Sequence, residues 1–161
     1  MAKQRTGVRP AITPMPDYGK VPPQAVDMEE AVLGAIMLDK EAVITILDIL
    51  KAESFYKDTH QKIFSAISEL SAKEFAVDLY TVTEQLRATN ELESVGGPVY
   101  LTQLTSKVAS SAHVEYHARI ILQKYIQREL IRVATEIQNR SFDDTYDITS
   151  CLIIQKTLSS R

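Results

Sequence analysis

The side chains best suited to chemistry in this chain are His60, His113 and His117 and one cysteine, Cys151. His113 and His117 stand four apart, so a helix would put both on one face, where two imidazoles can begin a metal site. No cysteine pattern surrounds them, and two histidines alone make a weak site. His60 falls in the first turn of a predicted helix, with no second ligand at metal spacing, and reads as a packed or hydrogen-bonded structural histidine. Cys151 sits on an apolar helix face, where a buried thiol is the ordinary reading. The paired glycines of Gly96-Gly97-Pro98 invite comparison with a phosphate-cradling loop, but no lysine followed by Ser or Thr comes after them. Acidic residues are plentiful, yet none stands in a neighbourhood that marks a catalytic pair. Residue chemistry thus predicts a noncatalytic helical interaction module with no cofactor-binding or metal-binding residues.

The elements around these residues are organised by the same Gly96-Gly97-Pro98 stretch. Glycine accepts positive φ, and a proline can open a helix because its missing amide hydrogen is not needed there. It therefore reads as a mechanical joint between a helical head and a helical projection. Ahead of the head, the first 23 residues hold five of the six prolines, with Lys3, Arg5, Arg9 and Lys20 set against Asp17. They read as an irregular basic leader: a solubilising tail, or a segment that touches nucleic acid or a partner.

Helical spacing then predicts a first helix over 26–38, capped by Asp27 with Glu30 three residues on, and containing Gly34 at a close helix crossing. A second runs from Asp39 to about Leu50, with Val43, Ile44, Leu47 and Leu50 inward. Phe55 and Tyr56 should plug the head. A third helix starts at Asp58 and buries Ile63, Phe64, Ile67 and Leu70. A fourth follows an Asp78 or Thr81 cap, with Leu79, Val82 and Leu86 inward, and a short one after the joint buries Tyr100, Leu101 and Leu104.

The longest segment runs from about Ala112 to Arg140. Val114, Ala118, Ile121, Leu122 and Tyr125 form a stripe that Ile126, Leu130, Val133 and Ile137 continue with a sideways drift. A return helix carries Ile148 and Leu152. Together these offer more apolar surface than one small head consumes, so we read an antiparallel hairpin that pairs subunits. An ordinary cap on the head is the competing reading. The expected architecture is all-α: a leader (1–22), a head (23–110) and a hairpin (111–161).

Bulk properties bound the function. The formal net charge of -3 argues against a nonspecific DNA coat. One cysteine makes no internal disulfide, which favours a cytoplasmic protein, and no apolar run approaches the ~18 residues of a membrane span. Arg119, Lys124, Arg128, Arg132 and Arg140 bias the long helix toward base, offset by Glu115, Glu129 and Glu136. An accessory nucleic-acid-binding module is thus the alternative to a protein-docking one.

The motifs, taken in order, resemble the N-terminal domain of the bacterial replicative DNA helicase, the DnaB-type helicase. The resemblance covers Pro23-Gln24, Glu29 through Asp39, Phe55 through Phe64, Val77 through Val82, Leu92 through Leu101, and His113 to Ile137 with its Arg128-Glu129-Leu130-Ile131. It implies a head and hairpin, hairpins pairing between subunits, and a collar of dimers in a hexameric ring. That collar would dock the primase's C-terminal domain and influence helicase loading, by a loader among other partners. ATP, Mg²⁺ and most DNA contact would belong to a motor domain that this chain lacks, which would make the chain a fragment ending near an interdomain linker. Two departures stand out: His113 where an asparagine cap is common, and His117 where tyrosine is frequent.

Overall fold

A computed structural model of the chain describes residues 20–108 and 113–142. Among the described residues six helices form: α1 (Val26–Ile36), α2 (Lys40–Ile49), α3 (Asp58–Ala72), α4 (Leu79–Ala88), α5 (Gly97–Ser106) and α6 (Val114–Ser141), with a 3-10 turn at Ala52–Ser54. No strand occurs among the described residues, and the all-α expectation holds.

The core gathers one face from each helix. Val32, Leu33 and Ile36 of α1, Val43 and Ile46 of α2, and Ile63, Phe64 and Ile67 of α3 are buried together with Val82, Leu86, Leu101 and Leu104. Phe55 is the plug its sequence position predicted, 4.8 Å from Phe64 between ring centroids. Tyr56 is not buried and lies on the surface instead. Of the α2 residues expected inward, Val43 and Leu50 are buried and Leu47 packs against the core, but Ile44 is 69% exposed and Ile46 is fully buried instead. The α2 run Val43-Ile44-Thr45-Ile46-Leu47 is apolar nearly all round, so its periodicity leaves the inward face open.

Helix starts follow capping chemistry unevenly. Asp39 caps α2, its carboxylate accepting from the Glu41 amide at 2.9 Å. Asp78 caps α4 reciprocally: its side chain accepts from the Thr81 amide at 2.8 Å, and the Thr81 hydroxyl accepts from the Asp78 amide at 3.0 Å. The predicted caps at Asp27 and Asp58 do not form. α1 opens at Ala25 and α3 at Lys57, neither with a side-chain cap, and the carboxylates fall inside the first turn, where the helix dipole still favours them.

The α1–α5 crossing explains Gly34. A Cβ there would stand 2.2 Å from the Leu104 carbonyl oxygen and 2.6 Å from Val108 Cγ2, so only a hydrogen fits. At the joint, Gly96 is the N-cap of α5 with φ +104°, Gly97 follows at φ +68°, and Pro98 sits in the first turn. Both glycines occupy the left-handed region that side chains resist.

Candidate protein-interaction face

α6 has no side-chain cap at its N-terminus, where His113 stands. Its first half is not a free projection. It packs on α1, α2 and the 3-10 turn, and Ala118 and Ile121 are 0% and 1% exposed within the single chain. Val114 and Leu122 pack partly buried against the same core. Residues expected to face a second subunit are thus divided by the fold. Ala118 and Ile121 are consumed by the chain's own core, because the head leaves a slot that only α6 fills.

Beyond Tyr125 the helix changes character. Ile126 is 49% exposed and Leu130 60%, with Val133 and Ile137 half-buried along the same side. At about 100° per residue, the 126/130/133/137 face lies roughly 120° around the helix from the 114/118/121/125 face. The drift read along the sequence is therefore two faces, one turned to the head and one turned away. Ile148 and Leu152, and with them the return helix, lie outside the described residues.

Arg128 marks the change. Its guanidinium donates to the Pro23 carbonyl at 2.8 Å and to the Ser54 carbonyl at 2.7 Å. It also stands 5.6 Å from the Tyr56 ring and 5.8 Å from that of Tyr125. One fixed fork thus ties the long helix to the chain entering α1 and to the turn before α3, a role its planar donors suit. The other arginines of α6 are neutralised along the helix: Arg119 on Glu115 at 2.7 Å, Arg132 on Glu129 at 2.9 Å, and Arg140 on Glu136.

Under this surface runs a polar network that sequence reasoning only half found. His60 is fully buried and hydrogen-bonded through both ring nitrogens. Nδ1 meets Glu29 Oε2 at 2.7 Å, and Nε2 meets the Tyr100 hydroxyl at 2.7 Å. The other Glu29 oxygen accepts from the Tyr56 amide at 2.6 Å. The Glu29 carboxylate and the Tyr100 hydroxyl thus hold the two ring nitrogens from opposite sides. The chain Glu29–His60–Tyr100 fastens α1, α3 and α5. With both nitrogens occupied and no exposed ring edge, it is a structural bolt and not a reaction centre. Glu29 was missed because a helix-surface glutamate looks solvated until its distant partner is known.

The network reaches the surface beside Glu30. Its hydrogen bond with Lys107, 2.6 Å, holds the Glu30 carboxyl below its ordinary pKa. Burial, and then the Glu30 charge, push the Tyr100 phenol up to about 12. Among the described residues no three His, Cys, Asp or Glu side chains come together as a metal site, and no helix is long and apolar enough to cross a membrane.

The family model for the DnaB-like helicase N terminal domain matches residues 21–123. The chain belongs to this DnaB N-terminal family. It is 51% identical over 129 residues to the replicative DNA helicase DnaB of Rhodothermus marinus, covering 80% of this chain but 14% of that protein. To the DnaB of Geobacillus stearothermophilus it is 43% identical over 131 residues, covering 80% of this chain and 29% of the relative. The crystal structure of the DnaB N-terminal domain from Mycobacterium tuberculosis matches with a TM-score of 0.74 at 31% identity, over 78% of this chain and 91% of that one. A structure of a DnaB-like replicative helicase and its interactions with primase shares the fold, with a TM-score of 0.67 at 24% identity, over 85% of this chain and 35% of that one. The matched region thus spans less than a third of the Rhodothermus marinus and Geobacillus stearothermophilus proteins.

Proposed function

We propose that this domain is the N-terminal collar of a hexameric replicative DNA helicase, which pairs subunits, docks the primase C-terminal domain and regulates the helicase during DNA replication. The observation that carries the reading is the outer half of α6, where Ile126 and Leu130 stand half or more exposed on a side the head does not use. In a DnaB-family domain, an apolar helix face left uncovered by its own head suits association with a second copy. ATP- and Mg²⁺-dependent unwinding, most DNA contact and response to a loader would belong to the whole protein and its motor domain.

Light scattering at micromolar concentration tests the pairing. The chain should run as a dimer or larger, and Leu130→Asp should return it to monomer mass with its helical signal intact. A monomer at all concentrations would overturn pairing through this face. Titration with the cognate primase C-terminal domain tests docking. Direct nucleic-acid binding is the weaker reading, because Arg119, Arg132 and Arg140 are paired with glutamates on their own helix.

A further inference from the structure

The buried bolt and the Arg128 fork meet at one short stretch of backbone, residues 54–56. The Tyr56 amide donates to Glu29 Oε1 at 2.6 Å, and the other Glu29 oxygen leads on to His60 and Tyr100. Arg128 donates to the Ser54 carbonyl at 2.7 Å and stands 5.6 Å from the Tyr56 ring. Its second bond goes to the Pro23 carbonyl at 2.8 Å, where the chain enters α1, the helix that carries Glu29. The contacts therefore close a ring: Glu29, Tyr56, Ser54, Arg128, Pro23, and back along α1 to Glu29.

A ring constrains more than a branch does. If Glu29 moves, either the 54–56 stretch or the start of α1 must follow, and Arg128 holds both. Glu29 and Ser54 are buried, so a bond lost there has no ready solvent to replace it. The far end of the series surfaces at the joint. Tyr100 is half-buried and lines a cleft of about 490 Å³ with Ser94, Val95 and Gly96, and the cleft wall includes no α6 residue. A Cβ on Gly96 would stand 2.9 Å from Tyr100 Cβ, so the backbone of the joint lies close against this side chain.

We propose that these contacts act as one relay, in which a displacement of Tyr100 at the joint passes through His60, Glu29 and residues 54–56 to Arg128 and resets the seating of the outer half of α6. The relay lies within one chain, so it stands whether or not α6 pairs subunits. Packing of α1 directly on α6 is the competing route for the same displacement.

Tyr100→Phe tests it, because that change deletes one hydroxyl and keeps the ring. All readings use the full chain carrying Leu130→Asp, so that pairing through that face does not enter them. Hydrogen exchange of amides 129–140 should speed by about 2-fold to 30-fold. By NMR, rotation of the Arg128 guanidinium should speed as well, while that of Arg119, paired with Glu115 on its own helix, should not. Val82→Ala, at a fully buried site on α4 outside the relay, should leave amides 129–140 and Arg128 unchanged. In an Arg128→Lys background, where an ammonium lacks the fork that spans both carbonyls, Tyr100→Phe should add no further change at 129–140. No change with Tyr100→Phe alone, or an equal change with Val82→Ala, would overturn the relay. A full effect of Tyr100→Phe in the Arg128→Lys background would also overturn it, and would assign the coupling to α1–α6 packing.

Discussion

Replacing His60 by leucine removes the centre of the buried network while keeping apolar volume. His60 and Glu29 are 0% and 1% exposed, so water cannot take the place of the lost donor. Glu29 would keep only the Tyr56 amide, 2.6 Å from Oε1, and Oε2 would face apolar core. Stranding one member of a buried pair costs about 3–5 kcal/mol. Domains of this size have about 5–15 kcal/mol in total, and the loss should lower the melting temperature by roughly 10–20 °C. Denaturant unfolding of His60→Leu, Glu29→Leu and the double variant, all at one protein concentration, makes the test specific. Removing both partners clears the stranded charge, so the double variant should cost clearly less than the sum of the singles. Its residual cost is the Tyr56 amide left without an acceptor, about 1–3 kcal/mol, together with the Tyr100 hydroxyl's loss of its His60 partner. A single substitution costing under about 1 kcal/mol, or costs that add within about 0.5 kcal/mol, would refute the bolt as we describe it.

Three further outcomes are expected. Gly34→Ala should destabilise by about 1–3 kcal/mol despite alanine's better helix propensity, since its Cβ would fall 2.2 Å from the Leu104 oxygen; a higher melting temperature would show that the crossing can open freely. Gly97→Val should cost about 1–3 kcal/mol through backbone strain alone, because φ is +68° and nothing lies within 4 Å of the added Cβ, and Gly97→Asn should recover part of it. The variant should also shift the dimer toward monomer in light scattering if the joint sets the seating of α6, and an unchanged dimer mass would detach the joint from assembly. Tyr100 should ionise near 12 and not near 10. Its raised folded value means this contribution is complete below pH 10 and lost as pH climbs from 10 to 12, a loss that Tyr100→Phe should remove from the alkaline unfolding curve.

Local pattern was enough for much of the fold. Ile63, Phe64, Ile67 and Leu70 recur at helical spacing among polar residues, and all four are buried. It failed where apolar residues crowd, as in α2, and where a position's partner is remote. Glu29 is bonded to a histidine 31 residues on, which is bonded to a tyrosine 40 residues beyond. No window along the chain contains that bolt. The Asp27 and Asp58 caps failed because a carboxylate near a helix start is favoured at several first-turn positions, so composition does not fix which residue is the cap. On α6, counting apolar residues found the surplus, while separating the head face from the outer face required knowing where the head ends.

α6 carries neither glycine nor proline from Val114 to Ser141, so nothing in its sequence invites a kink over its roughly 42 Å. Half of that length is socketed in the head and half extends past the Arg128 clamp. The helix is therefore a lever with its fulcrum at Arg128. A tilt of about 10° in the socket would move the far tip by about 3 Å. A repacking of α1 or α2 too small to expose core would thus be amplified at the outer end, where, in the pairing proposed above, a second copy would sense it as a change in position.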